Sequence, residues 1–137
     1  MIELDSDIKK TEKHCEVVEE LMQYPFNVSQ VGFSLLVRCI EKQLDIVAQP
    51  ASYANTIFKD VAKEFNMSVP CLERCMRDTM VTANVNCVND PNVVYPNYLI
   101  KSALNETKTK NFVSAMGLYI STRYKRRLLE RYSKNCW

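Results

Sequence analysis

The sequence predicts an all-α, six-helix single domain containing a helix-turn-helix, and three observations carry that prediction. Apolar residues recur at three- and four-residue steps along most of the chain. Only two glycines occur in 137 residues, which argues against a turn-dense all-β fold or a Gly-rich phosphate loop. An apolar fraction of 47% with 25% charged residues fits one globular domain able to bury a core without disulfides or metal.

Residues 1–11 are polar and aperiodic, and read as a flexible N-terminal leader. The domain then occupies residues 12–137. Helical spacing starts near Glu12, runs through Val17, Val18, Leu21 and Met22, and closes at Pro25. The strongest stripe follows: Val31, Leu35, Leu36, Cys39, Ile40, Leu44 and Val47, ending before Pro50. Ser52 is placed to cap a third helix with Ile57, Phe58, Val61, Ala62 and Phe65 inward and Lys59, Asp60, Lys63 and Glu64 outward. Asn66-Met67-Ser68 breaks the period, and Val69-Pro70 opens a fourth helix, since proline in a first turn forfeits no hydrogen bond. Its buried side reads Val69, Leu72, Cys75 or Met76, Thr79, Met80 and Ala83. Residues 85–97, with two prolines and four asparagines, read as a surface loop. A short helix from about Tyr98 to Leu104 and a long basic one from about Thr109 to Tyr132 complete the chain, the last with Phe112, Met116, Tyr119, Ile120 and Tyr124 inward.

Composition excludes several functions. No run of about 18 apolar residues exists and the N-terminus is acidic, so neither a membrane span nor a signal peptide is expected, and the cytoplasm is the expected location. The six cysteines form no C-x-x-C pair and only one histidine accompanies them, so free or buried thiols are expected rather than a disulfide framework or a metal site. No cofactor is implied. His14, in an acidic helix without an evident partner, gives no acid–base machinery, and the chain is read as not an enzyme. Charge is polarised: from Lys101 onward nine basic residues face two acidic ones, a net of +7, whereas the first 100 residues hold nine basic and fourteen acidic, a net of −5.

The third and fourth helices, joined by three or four residues, form an αα-corner of the kind that DNA-binding proteins use. Pro70, Glu73, Arg74, Arg77, Asp78 and Val81 project from the outer face of the fourth helix. Arg74 and Arg77, three residues apart, are spaced to meet a guanine edge and a phosphate, and Glu73 can accept from a cytosine amino group. An ordinary salt-bridged surface is the competing reading of the same face.

Gly32-Phe33 to Leu36, Ile40, Ser52, the block Phe58-Lys59-Asp60-Val61-Ala62-Lys63-Glu64-Phe65-Asn66, Leu72-Glu73-Arg74-Cys75-Met76-Arg77 and Ala83 together resemble the C-terminal DNA-binding effector domain of the stage zero sporulation protein A response-regulator family. The start of the last helix, Thr107 to Met116, is similar as well. The resemblance covers about two thirds of the chain, its most specific piece being D-x-A-K-x-F-N followed by E-R-x-x-R. It implies six helices, with a helix-turn-helix at about 52–84 whose recognition helix, Ser68 to Asn84, enters the major groove of double-stranded DNA. It implies transcription regulation in sporulation through a short box, with two copies meeting on tandem boxes. Glu73 and Arg74 would approach bases, Arg77 backbone or base, and Lys108 and Lys110 phosphate.

Three departures qualify what the resemblance implies. The family carries an arginine base reader where this chain has Cys71, a contact worth about 1–3 kcal/mol of discrimination. Asp78 puts a carboxylate on the DNA-facing side. Only some 25 residues precede the match in this sequence, where the family has a receiver domain, so control through concentration or a partner is expected in place of phosphorylation. The C-terminal Arg123, Lys125, Arg126 and Arg127, with Arg131 and Lys134, either add phosphate contacts that offset the loss at Cys71 or form a solvated helix end. The rival to DNA reading is a protein-interaction module that pairs with a full-length regulator or RNA polymerase. Cys71, Asp78 and the acidic first helix favour it, and Arg74, Arg77 and the basic tail favour DNA.

Overall fold

The computed structural model describes residues 2–45, 54–88, 90 and 92–135. Among the described residues the chain forms six helices and no strand: α1 (Ile2–Leu21), α2 (Val31–Leu44), α3 (Ala54–Glu64), α4 (Val69–Val88), α5 (Tyr98–Asn105) and α6 (Thr109–Asn135). The domain is all-α. No helix among the described residues is long and apolar enough to cross a membrane.

Helix α2 is the hub, because eight of its fourteen residues are buried. Leu35, Leu36, Cys39 and Ile40 are fully buried, and α1, α3, α4 and α6 all pack on them. Close approach is set by two glycines. A Cβ on Gly32 would lie 2.2 Å from the Cys75 carbonyl oxygen and 2.1 Å from Thr79 Oγ1, so α2 and α4 nearly touch backbones there. Gly117 does the same for α6 against the Gln43 side chain of α2. Phe58 and Phe112 fill the centre, and Phe26 bridges Phe33 and Phe112 with ring centroids 6.1 and 6.2 Å away.

Both ends of the candidate corner have identifiable caps. At the end of α3, Asn66 takes φ 54°, Met67 N–H donates to the Ala62 carbonyl and Asn66 N–H to the Lys63 carbonyl. This is a Schellman motif, closed by a residue type that tolerates the left-handed region. Ser68 Oγ then accepts from Cys71 N–H at 3.2 Å, the N-cap bond that starts α4. The same motif ends α5, with Thr107 at φ 53° and Lys108 N–H donating to the Ala103 carbonyl.

Several expectations need correction. The first helix begins at Ile2, so the flexible leader expected over residues 1–11 is helical from its second residue; no proline or glycine interrupts residues 2–21, and helix once nucleated propagates. Met22 (58% exposed), Val31 and Phe65 stand exposed, since each lies at a helix end where the chain turns away from the core. Helix α4 runs to Val88, four residues into the expected surface loop, and Val93 and Tyr95 of that segment pack against the core. Its asparagines serve as tethers: Asn84 Nδ2 donates to the Leu104 carbonyl and Asn86 Nδ2 to the Pro25 carbonyl. Helix α2 ends at Leu44, while Val47, Pro50 and the expected cap Ser52 lie outside the described residues.

Candidate nucleic-acid interface

Helix α4 turns Leu72, Met76, Thr79, Met80 and Ala83 inward, as its spacing predicts. The opposite side therefore carries Cys71, Arg74, Arg77 and Asp78, all exposed, with Glu73 half-buried at the edge. Among the described residues Arg74 and Arg77 carry no ion pair. Glu73 leans toward the start of α6, where its Oε1 lies 3.9 Å from Lys110 Nζ. Lys108, in the turn before α6, pairs with Glu106 at 2.9 Å. The structure thus gathers α4 and the α6 start on one side of the molecule, but two of the four cations there have carboxylate neighbours. Counting Arg74, Arg77, Lys108 and Lys110 against Glu73, Asp78 and Glu106, the local excess is one positive charge.

Helix α3 is held by a charged clamp to α2. Arg38 donates through Nε and Nη2 to the Glu64 carboxylate at 2.9 and 3.2 Å, Lys42 adds 3.1 Å, and Glu41 takes Arg38 Nη1 at 3.2 Å. The Arg38 guanidinium holds the Glu64 carboxyl below its ordinary range, and Glu64 in turn raises Arg38. His14, expected to lack a partner, hydrogen-bonds the Glu41 carboxylate through Nδ1. The acidic first helix comes within reach of α2, and that proximity was not legible from His14 alone.

The basic tail divides between two faces of α6. Arg123 donates to Glu20 and, at 2.9 Å, to Glu16, with its side chain only 19% exposed over the ring of Tyr119. Arg127 pairs with Glu16, Arg131 approaches Glu12 at 3.8 Å, and Tyr124 Oη donates to Glu12 at 2.7 Å. The partners run in opposite sequence directions, so α1 and α6 lie antiparallel. Arg123 and Arg127 are therefore engaged with α1, Arg123 largely buried and Arg127 45% exposed. Lys125 and Arg126 remain exposed. Apolar spacing and net charge do not point to Glu12, Glu16 and Glu20 as the partners of this tail. The signal was present: carboxylates every fourth residue in one helix and arginines every fourth residue in another.

Five cysteines, Cys15, Cys39, Cys71, Cys75 and Cys87, are free thiols, and Cys136 lies outside the described residues. Among the described residues no three His, Cys, Asp or Glu side chains gather as a metal-ligand set. No family model matches this chain, and neither a curated protein nor a solved structure matches it.

Proposed function

We propose that the chain is a sequence-specific, double-stranded-DNA-binding transcriptional regulator of the cytoplasm, with α3 and α4 as a helix-turn-helix and α4 as its reader. The observation that carries this reading is the pair Arg74 and Arg77, exposed three residues apart on α4 without ion-pair partners among the described residues. Leaving two guanidiniums unpaired beside a capped four-residue turn suits a surface that meets acceptors on another molecule. Cys71 and Asp78 lie on the same face, Lys108 and Lys110 flank it, and Lys125 and Arg126 form a separate cationic spot. The role is binding, not catalysis. The resemblance to the sporulation effector domains agrees with this assignment, including two copies on tandem boxes.

Compensation of charge favours one alternative specifically. Lys108, Lys110, Arg123 and Arg127 all have carboxylate neighbours within the chain, which leaves less uncompensated positive charge for phosphate and favours a protein partner such as a full-length regulator or RNA polymerase. Fluorescence anisotropy against a family-type box and a scrambled duplex, at several salt concentrations, separates the two. Tighter binding to the box, weakened by roughly 1–3 kcal/mol for each of Arg74→Ala and Arg77→Ala, supports DNA reading. Equal weak binding to both duplexes, unchanged in the double variant, rejects it in favour of a protein partner.

A further inference from the structure

Cys71 and Cys75 stand one turn apart on α4, both free, the first exposed and the second half-buried. Residues four apart on a helix have Cα atoms about 6 Å from one another, within the span a disulfide bridges. Their Cβ atoms, roughly 5–6 Å apart, must come about 1–2 Å closer for the bond to form, so bridging tightens one turn. The two ends are not equally able to move. The Cys75 carbonyl is wedged against Gly32 of α2. Cys71 lies in the first turn, where its N–H is held only by the Ser68 hydroxyl at 3.2 Å. Closure therefore draws the first turn toward Cys75, and Arg74 lies inside the bridged segment. Burial, and next the neighbouring Cys71 thiol, push the Cys75 thiol up, and Cys71, being exposed, is the sulfur that an oxidant reaches first.

We propose that Cys71 and Cys75 form a vicinal dithiol that hydrogen peroxide closes into an intrahelical disulfide, distorting the first turn of α4 and releasing its partner. The release rests on the DNA reading above; the dithiol does not. The Cys71 sulfur attacks one peroxide oxygen, the O–O bond breaks, and a sulfenic acid and one water result. The Cys75 sulfur then displaces the hydroxyl, which leaves as a second water with the Cys75 proton. Two thiols lose two electrons, and one peroxide is reduced to two waters. A small thiol in excess reverses the bond by exchange.

The full chain is reduced, treated with hydrogen peroxide, alkylated, denatured and cut with trypsin without reductant. Cleavage after Arg74 separates the segments that carry the two cysteines unless they are bridged. The monomer fraction is expected to yield the linked pair, absent in Cys71→Ser and in Cys75→Ser. Affinity for the box should fall at least tenfold on oxidation, recover with reductant, and track the yield of the linked pair. Separated segments, with Cys71 alkylated or carried on to sulfinic acid, overturn the dithiol. Linked segments with unchanged affinity overturn the release. If the reduced chain binds no duplex, the DNA reading fails independently. Linked segments and faster amide hydrogen exchange over residues 69–76 still decide the disulfide and its distortion.

Discussion

Gly32 and Thr107 show how single residues set the shape of this domain. At Gly32 any side chain would meet the Cys75 carbonyl oxygen at 2.2 Å, and that atom belongs to a backbone that cannot rotate aside. Gly32→Ala should therefore push α2 from α4 and destabilise by about 3 kcal/mol, the upper end for overpacking. Urea denaturation reads this directly, and an unchanged midpoint would mean that the two helices do not approach as closely as described. Thr107 presents the opposite case. A β-branched residue at φ 53° pays a steric penalty that glycine does not. Thr107→Gly loses only the hydroxyl bond to the Glu106 carbonyl, 2.7 Å long in an exposed turn. It should raise stability by about 0.5–1 kcal/mol in the same assay, and a loss instead would show that the hydroxyl matters more than the backbone strain.

Among the elements, the pairing of α1 with α6 separates charges that look alike in sequence. Glu20 is 5% exposed and its ion-pair partner is Arg123. Removing the guanidinium leaves a buried carboxylate without its countercharge, so Arg123→Ala should cost about 3–5 kcal/mol. Arg127, 45% exposed, shares Glu16 with Arg123, and Arg127→Ala should cost under about 1 kcal/mol. Equal losses in thermal or chemical unfolding would refute the buried ladder. This pairing also marks what could be read beforehand. Helix type and inward face followed from apolar spacing, as at Ile57, Phe58 and Val61 of α3, because burial of a stripe imposes the helical period on the sequence. The outer face of α4 followed by subtraction from its buried face. Which distant helix takes up Arg123 depends on tertiary placement, and a net charge summed over residues 101–137 carries no information about partners more than 100 positions away. The end of α4 escapes a local reading for a related reason: Asn84 and Asn86 have turn propensity, yet tertiary hydrogen bonds to Leu104 and Pro25 outweigh it.

For the molecule as a whole, alkaline pH tests the core more sharply than acid. Several groups that are neutral when protonated lie in or against it. Burial pushes the Cys39 thiol up to about 12, and burial with the Cys87 thiol pushes Tyr95 to about 12. Burial, then the Glu20 carboxylate, raises Tyr24, whereas the bond to Glu12 leads in raising Tyr124. The unfolded chain releases these protons near pH 9 for cysteine and 10 for tyrosine, while the folded chain retains them. A raised folded pKa means that the stabilisation is complete below the unfolded value and lost as pH rises toward the folded one. Stability should therefore be level to about pH 9 and decline across roughly pH 9–12, by about 1.4 kcal/mol per pH unit for a fully buried group such as Cys39. Cysteine titrates first, so Cys39→Ala should flatten the early part of the decline, from about pH 9 to 10, and leave the tyrosine part in place. Urea midpoints taken at half-unit steps from pH 8 to 11 measure both effects. A wild-type profile flat across that range would mean that the thiol and phenols titrate alike in the folded and unfolded chains, and that the core admits water where it is described as closed.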